Sequence, residues 1–163
     1  DIDKFSLGGF SAEFIDAIMP PEDAQLEIYE LLINFLNSLE HINFPQKLIY
    51  IFILKALSLS GFQPHLESCV IYKSFINKHA FFSNHSGGLL CAKCHRQDTQ
   101  SESILSGTIA TISFFQKTDW PDSLRLGILP VVENQLKKIL FSFLDFNLEK
   151  KFKSFKLLNN ILG

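Results

Sequence analysis

The chain has 163 residues, 47% of them hydrophobic and 17 of them phenylalanine, which excludes a disordered or linker protein and leaves enough apolar material for a buried core. Its formal charge of −2 hides an uneven spread: residues 1–42 hold nine acids against Lys4 alone, whereas residues 43–163 hold fourteen Lys or Arg against eight acids. A basic face of this kind draws in phosphates or an acidic peptide, and a merely uneven solvated surface is the plain rival reading.

The longest apolar run, Leu48 to Leu54, is far shorter than the roughly 20 residues of a membrane span, and the acidic start Asp1–Lys4 does not read as a secretory signal. The first residue is Asp1 rather than Met, so the expectation is a fragment of a longer protein. Three cysteines leave one unmatched in any disulfide scheme. With a C-x-x-C among them, they favour a reducing compartment and structural or metal-binding thiols.

In chain order, residues 1–10, with Gly8-Gly9, read as a lead-in, and Ser11 is placed to cap a short helix reaching about Ile18. Pro20-Pro21 ends it, and Pro21-Glu22-Asp23 suits the start of a second helix running to about Leu39. Ile28, Leu32, Phe35, Leu36 and Leu39 keep helical spacing and predict its core face. Pro45 opens a third helix that ends at Gly61. Leu48–Leu54 is apolar all round, which predicts a central helix; a buried strand is the rival, and total length favours the helix.

Residues 61–96 read as an irregular, hairpin-like insertion, and Arg96–Glu102 as a polar loop. Ser103–Phe115 is β-branched at Thr108, Ile109, Thr111 and Ile112, yet Ile104, Leu105, Ile109, Ile112 and Phe115 fit a helical face better than alternation. Trp120-Pro121-Asp122 reads as a turn. Pro130 starts a helix to about Leu144 with Val132, Leu136, Ile139, Leu140 and Phe143 inward, and a last helix is expected over Leu148–Ile161. The expected architecture is a single, mainly α domain with a degenerate zinc-finger-like insertion.

Chemistry concentrates in the insertion. Cys91 and Cys94 have the spacing of a zinc knuckle, where a tight turn aims two thiolates at one ion. Cys69 sits where a second knuckle would begin, but its expected partner three residues on is Tyr72, a poor zinc ligand. The candidate ligands are therefore Cys69, Cys91 and Cys94 with His85 as the fourth; His79 and His95 are the other histidines in reach, and His95 adjoins Cys94 too closely to serve without strain. A bound Zn2+ would be structural. The rival is a metal-free remnant with Tyr72 and its neighbours filling the ligand space. A redox dithiol fits less well, because such motifs open a helix after a strand in a βαβ setting. Gly87-Gly88 is no phosphate loop and more simply supplies a turn with positive φ. Nothing in the sequence makes a case for an enzyme.

At the C-terminal end Lys150-Lys151-Phe152-Lys153-Ser154-Phe155-Lys156 interleaves bases with rings. The rings suit a core-facing stripe, and the lysines suit contact with phosphates or an acidic peptide.

Taken in order, Phe52-Ile53-Leu54-Lys55-Ala56-Leu57, Gly61-Phe62-x-Pro64, Cys69, Phe82-Ser83, Gly87-Gly88-Leu89-Leu90-Cys91-x-x-Cys94 and Phe152-Lys153-Ser154 with its hydrophobic tail resemble the C-terminal helical domain of the bacterial RecO family. Glu13-Phe14-Ile15 and the stretch from Asp23 to Leu39 fit that family's first helices. The resemblance implies a helical domain carrying a zinc-finger-like segment, here without the OB-fold domain that precedes it in the family. It further implies a non-enzymatic cytoplasmic, nucleoid-associated mediator of recombinational DNA repair. Such a mediator binds single- and double-stranded DNA, anneals strands, joins RecR, and engages the acidic, Phe-ended tail of single-stranded DNA-binding protein to help load RecA. Two departures from the pattern stand out. Tyr72 replaces a cysteine, and Tyr50 and Ile51 stand where some members carry basic residues that grip the tail, leaving Lys47 and Lys55 as the nearest bases. The competing class is an interaction scaffold with a remnant metal site and no nucleic-acid contact.

Overall fold

The computed structural model describes residues 2–19, 25–42 and 46–148. These residues form seven helices and one small sheet, a mainly α architecture. The chain divides into two compact units, the first comprising, of the described residues, those up to Gln63 with Thr118–Leu126 and Leu148, the second Pro64–Lys117 with Gly127–Asn147.

The first unit holds α1 (Ile2–Ile18), α2 (Leu26–His41), α3 (Gln46–Leu59) and, from later in the chain, a short helix over Trp120–Arg125. As its composition predicts, α3 is central: every residue from Leu48 to Leu54 is buried. Phe52 lies 4.6 Å from Phe35 and 6.2 Å from Phe14, ring centre to ring centre, so α1 and α2 meet through aromatic contacts on α3. Gly61 ends α3 in the left-handed conformation (φ 79°). The Phe62 amide donates back to the Leu57 carbonyl (2.9 Å) and the Gly61 amide to the Ser58 carbonyl (3.3 Å), the paired bonds of a Schellman stop.

Three expectations about this unit change. α1 begins at Ile2, so Gly8-Gly9 lies inside a helix, and Ser11 is a buried helical residue whose hydroxyl donates to the Gly8 carbonyl (2.7 Å) instead of a cap. Burial of Leu7, Phe10, Phe14 and Ile18 at helical spacing outweighs the roughly 1 kcal/mol that a helical glycine costs. α2 starts at Leu26 after an extended Gln25, later than the proline and acids suggest, and runs to His41. Its buried face is Ile28, Leu31, Phe35 and Leu39, with Leu36 exposed and Leu31 replacing it inside.

The second unit holds β1 (Ala80–Ser83), β2 (Gly88–Leu90), α4 (Ala92–His95), β3 (Glu102–Ile104) and α5 (Ser106–Lys117). The short helix Trp120–Arg125 is α6, and α7 (Pro130–Asn147) returns to the second unit. The sheet order is β2-β1-β3, all antiparallel, with Phe82 opposite Leu89 on one side and Glu102 on the other. The expected hairpin is thus present, extended by a third strand. That strand corrects the reading of 103–115 as one helix: Ser103 and Ile104 pair with β1, and α5 begins only at Ser106. Gln135 on α7 organises the break, its side-chain oxygen accepting from the Leu105 amide and the Thr108 hydroxyl (2.8 Å each) while its Nε2 donates to the Ser103 carbonyl (3.1 Å). Val132, Leu136, Ile139, Leu140 and Phe143 of α7 are all buried, as the pattern predicts. Trp120-Pro121-Asp122 is the first turn of α6 rather than a free turn, with proline at a position whose amide needs no partner. The expected helix over Leu148–Ile161 lies outside the described residues apart from Leu148, which is not helical.

Candidate metal centre

The candidate centre is assembled from two turns held together by β2. Residues 65–70 run alongside that strand: the His65 amide donates to the Gly87 carbonyl (2.9 Å), the Leu89 amide to the His65 carbonyl (2.9 Å), and the Val70 amide to the Leu89 carbonyl (2.8 Å). This close approach needs Gly88, where any Cβ would run into the His65 backbone. Gly87 turns the chain with φ 72°, as the Gly-Gly pair predicts.

Cys69 opens the first turn. Its amide donates to the Ser74 carbonyl (2.9 Å), its carbonyl accepts from the Lys73 amide (2.8 Å), and Lys73 takes a left-handed conformation (φ 56°). Cys91 precedes α4 in an extended conformation, and its carbonyl accepts from the His95 amide (3.0 Å), which places Cys94 in the first turn of that helix. The three sulfurs all lie within 4.8 Å of one another, with Cys69 and Cys94 buried and 3.6 Å apart, Sγ to Sγ. Leu90, Ile76 and Phe81 pack around them.

Burial alone raises the pKa of the Cys69 thiol, but the backbone amides of Tyr72, Cys91 and Ile71, together with the Cys94 thiol, outweigh it and bring it down to about 7. Amides from the second and third residues beyond a cysteine, aimed at its sulfur, are the turn geometry that holds a thiolate ready for a cation. Cys94 moves the other way: burial and the neighbouring Cys69 and Cys91 sulfurs push it up to about 12. Metal uptake must therefore displace a proton from Cys94.

The geometry fits zinc. A tetrahedral ion with Zn–S bonds of about 2.3 Å holds its sulfurs about 3.8 Å apart, close to the Cys69–Cys94 separation. Cys69, Cys91 and Cys94 would hold the ion, which would contribute structural cross-linking. Among the described residues no fourth His, Cys, Asp or Glu atom joins the group. His85 stands elsewhere, its ring 6.2 Å from that of Phe146. His95 is stacked flat on Phe81 at 3.7 Å, with Nδ1 bonded to the Ser101 hydroxyl (2.7 Å). Tyr72 gives the site its amide, while its ring is half-exposed beneath the Lys93 ammonium, 4.9 Å from the ring centre.

The family model for recombination protein O, C terminal, matches residues 1–156. The chain belongs to that family. Similar proteins include the DNA repair protein RecO of Thermoanaerobacter sp. (strain X514), 28% identical over 162 residues, 99% of this chain and 65% of the relative. Those of Syntrophus aciditrophicus (27% over 164 residues, 98% and 63%) and Bifidobacterium animalis subsp. lactis (29% over 150 residues, 91% and 59%) carry the same name. The chain thus spans 59 to 65% of the length of these three relatives.

Within this member of the recombination protein O C-terminal family, the bases singled out in the sequence fall into two sets. Lys47 donates to the Leu124 and Leu126 carbonyls at the C-terminal end of α6, where a cation satisfies open acceptors. Lys55 donates to the Thr118 carbonyl, and burial lowers its pKa against the opposing pull of Asp119. Lys150, Lys151, Lys153 and Lys156 lie outside the described residues. Sequence reasoning noted Lys93 and Arg96 only as bases that would lower a thiol pKa, and it put none of the insertion's bases, Lys73, Lys78, Lys93 and Arg96, forward for binding. A count of acids along the insertion could have found them, since residues 68–97 contain none.

Proposed function

We propose that the chain is the helical domain of a recombinational DNA repair mediator, acting by binding rather than catalysis in the bacterial cytoplasm at the nucleoid. The observation that carries this reading is the family match across residues 1–156. In this reading the domain contacts single- and double-stranded DNA and recruits RecR and the acidic tail of single-stranded DNA-binding protein, which promotes annealing and RecA loading. The thiol cluster holds a structural Zn2+ and shapes the second unit. Lys150, Lys151, Lys153 and Lys156 supply phosphate or tail contacts, whereas the ammonium groups of Lys47 and Lys55 already serve backbone carbonyls and belong to the scaffold.

The test is fluorescence anisotropy with labelled single-stranded DNA, duplex DNA and an acidic Phe-ended peptide, at two ionic strengths. Binding that falls steeply with salt is expected, and replacing the four C-terminal lysines by glutamine should flatten the log–log slope by roughly 0.7–0.9 for every phosphate no longer neutralised. Absence of both DNA and peptide binding at low salt would return the chain to a scaffold role.

A further inference from the structure

The second unit carries an aromatic and basic surface that the metal chemistry leaves unexplained. Residues 68–97 contain Lys73, Lys78, Lys93 and Arg96 and no Asp or Glu, in a chain whose net charge is −2. All four side chains are exposed, and none makes an ion pair among the described residues. Lys117, Arg125 and Lys138 differ, each being matched to a carboxylate. Two exposed rings lie in the same acid-free stretch, Tyr72 at 51% exposure and Phe75, between Lys73 and Lys78 in sequence, at 77%. Their exposure is not a failure of packing, because Ile76 and Phe81 from the same segment are packed against the thiols. Lys93 lies over the Tyr72 ring, so α4 and the loop after Cys69 meet on this surface, and the Cys69–Cys94 sulfur contact ties them together from beneath.

We infer that the surface shared by residues 70–79 and α4 is a platform for single-stranded nucleic acid, with nucleobases stacking on Tyr72 and Phe75 while Lys73, Lys78, Lys93 and Arg96 meet the phosphates. Flat rings open to solvent beside cations without ion-pair partners match nucleobases joined by phosphates. A purely acidic peptide such as polyglutamate would use the charges and leave the rings idle, one ending in a single Phe would occupy only one of the two rings, and a duplex would offer phosphates with no free base face. The inference deepens the mediator reading and rests on it, but it places single-strand recognition on the cysteine module rather than on the C-terminal lysines.

The test uses the full chain, a labelled oligothymidylate of about 16 nucleotides and a duplex of equal length. Tyr72→Ala and Phe75→Ala are each expected to weaken single-strand binding roughly 5- to 150-fold, with little change for duplex, and Tyr72→Trp to keep it. Tyr72→Ala retains the backbone amide that serves Cys69, so an unchanged circular dichroism spectrum and zinc content serve as the folding control. Replacing Lys73, Lys78, Lys93 and Arg96 by glutamine should lower the single-strand salt slope by about 0.7 for each phosphate that the variant leaves without its cation. If the alanine variants hold the oligonucleotide as tightly as the parent, the platform is overturned and the mediator reading stands. If the parent binds no oligothymidylate even at low salt, the platform is overturned, and the mediator reading falls with it only where duplex and acidic-peptide binding are absent as well. If the variants lose polyglutamate binding instead of the oligonucleotide, the surface is a peptide site and the inference is overturned.

Discussion

At the scale of single residues, Gly88 shows how little slack the metal module has. Its missing side chain is what lets the 65–70 segment lie against β2, and through that segment Cys69 is brought to Cys91 and Cys94. Gly88→Ala would force the backbones apart. It should destabilise the second unit by about 2 kcal/mol or more and weaken zinc uptake, as read by thermal melting and a colorimetric metal titration. Tyr72→Cys should act in the opposite sense. It restores a fourth thiolate three residues beyond Cys69, where the turn amides already point at the metal side. Zinc affinity should rise on the order of 100-fold, measured by competition with a chelator. Such consequences were only partly visible in the residue string. Cysteine spacing announced the site, and Gly87-Gly88 announced the turn. The near-contact between Gly88 and His65, and the stacking of His95 on Phe81, join residues far apart in sequence and have no local signature.

Among the elements, the hairpin β1–β2 is anchored by one carboxylate. The Ser83 hydroxyl donates to Asp98 Oδ2 while the Gln100 amide donates to Oδ1, and Ser83 in turn accepts from the Ser86 amide. The hydroxyl chiefly, against the effect of burial and with help from the Gln100 amide, holds the pKa of Asp98 below the ordinary carboxylate range. A depressed folded-state pKa contributes stability that is present above the unfolded value near 4 and is lost as pH falls through the folded value. Acid melting curves of Asp98→Asn should therefore show a lower plateau at neutral pH and a shallower decline below about pH 4 than the parent. Helices α3 and α7 were legible because their apolar faces are long and periodic. α1 was not, since Gly8-Gly9 reads locally as a break, and only the burial of Leu7, Phe10 and Phe14 makes it a helix. β3 was hidden for the same reason in reverse: three residues of sheet pairing override the helical spacing of Ile104 and Leu105.

Over the whole molecule, the two units should answer zinc differently. Zinc at 100 times its dissociation constant suppresses metal-linked opening about 100-fold. Hydrogen exchange should slow by about that factor at the Ile71, Tyr72 and Cys91 amides that face Cys69, and remain unchanged along α3, which holds no metal ligand. Equal slowing in α3 would mean that the ion stabilises the entire chain as one cooperative body.

The order of the chain adds a consequence for its birth on the ribosome. Among the described residues, α6 is the last helix of the first unit: its C-terminal carbonyls receive Lys47, the preceding Thr118 receives Lys55, and the rings of Trp120 and Phe35 meet at 87°. Those partners are translated only after residues 64–117 of the second unit have been made. α3, the most apolar helix, therefore waits through the synthesis of the whole cysteine module before its partners on α6 are made. Nascent chains stalled just short of Thr118 should expose that helix to chaperones, and chains stalled beyond the reach of Leu126 should not.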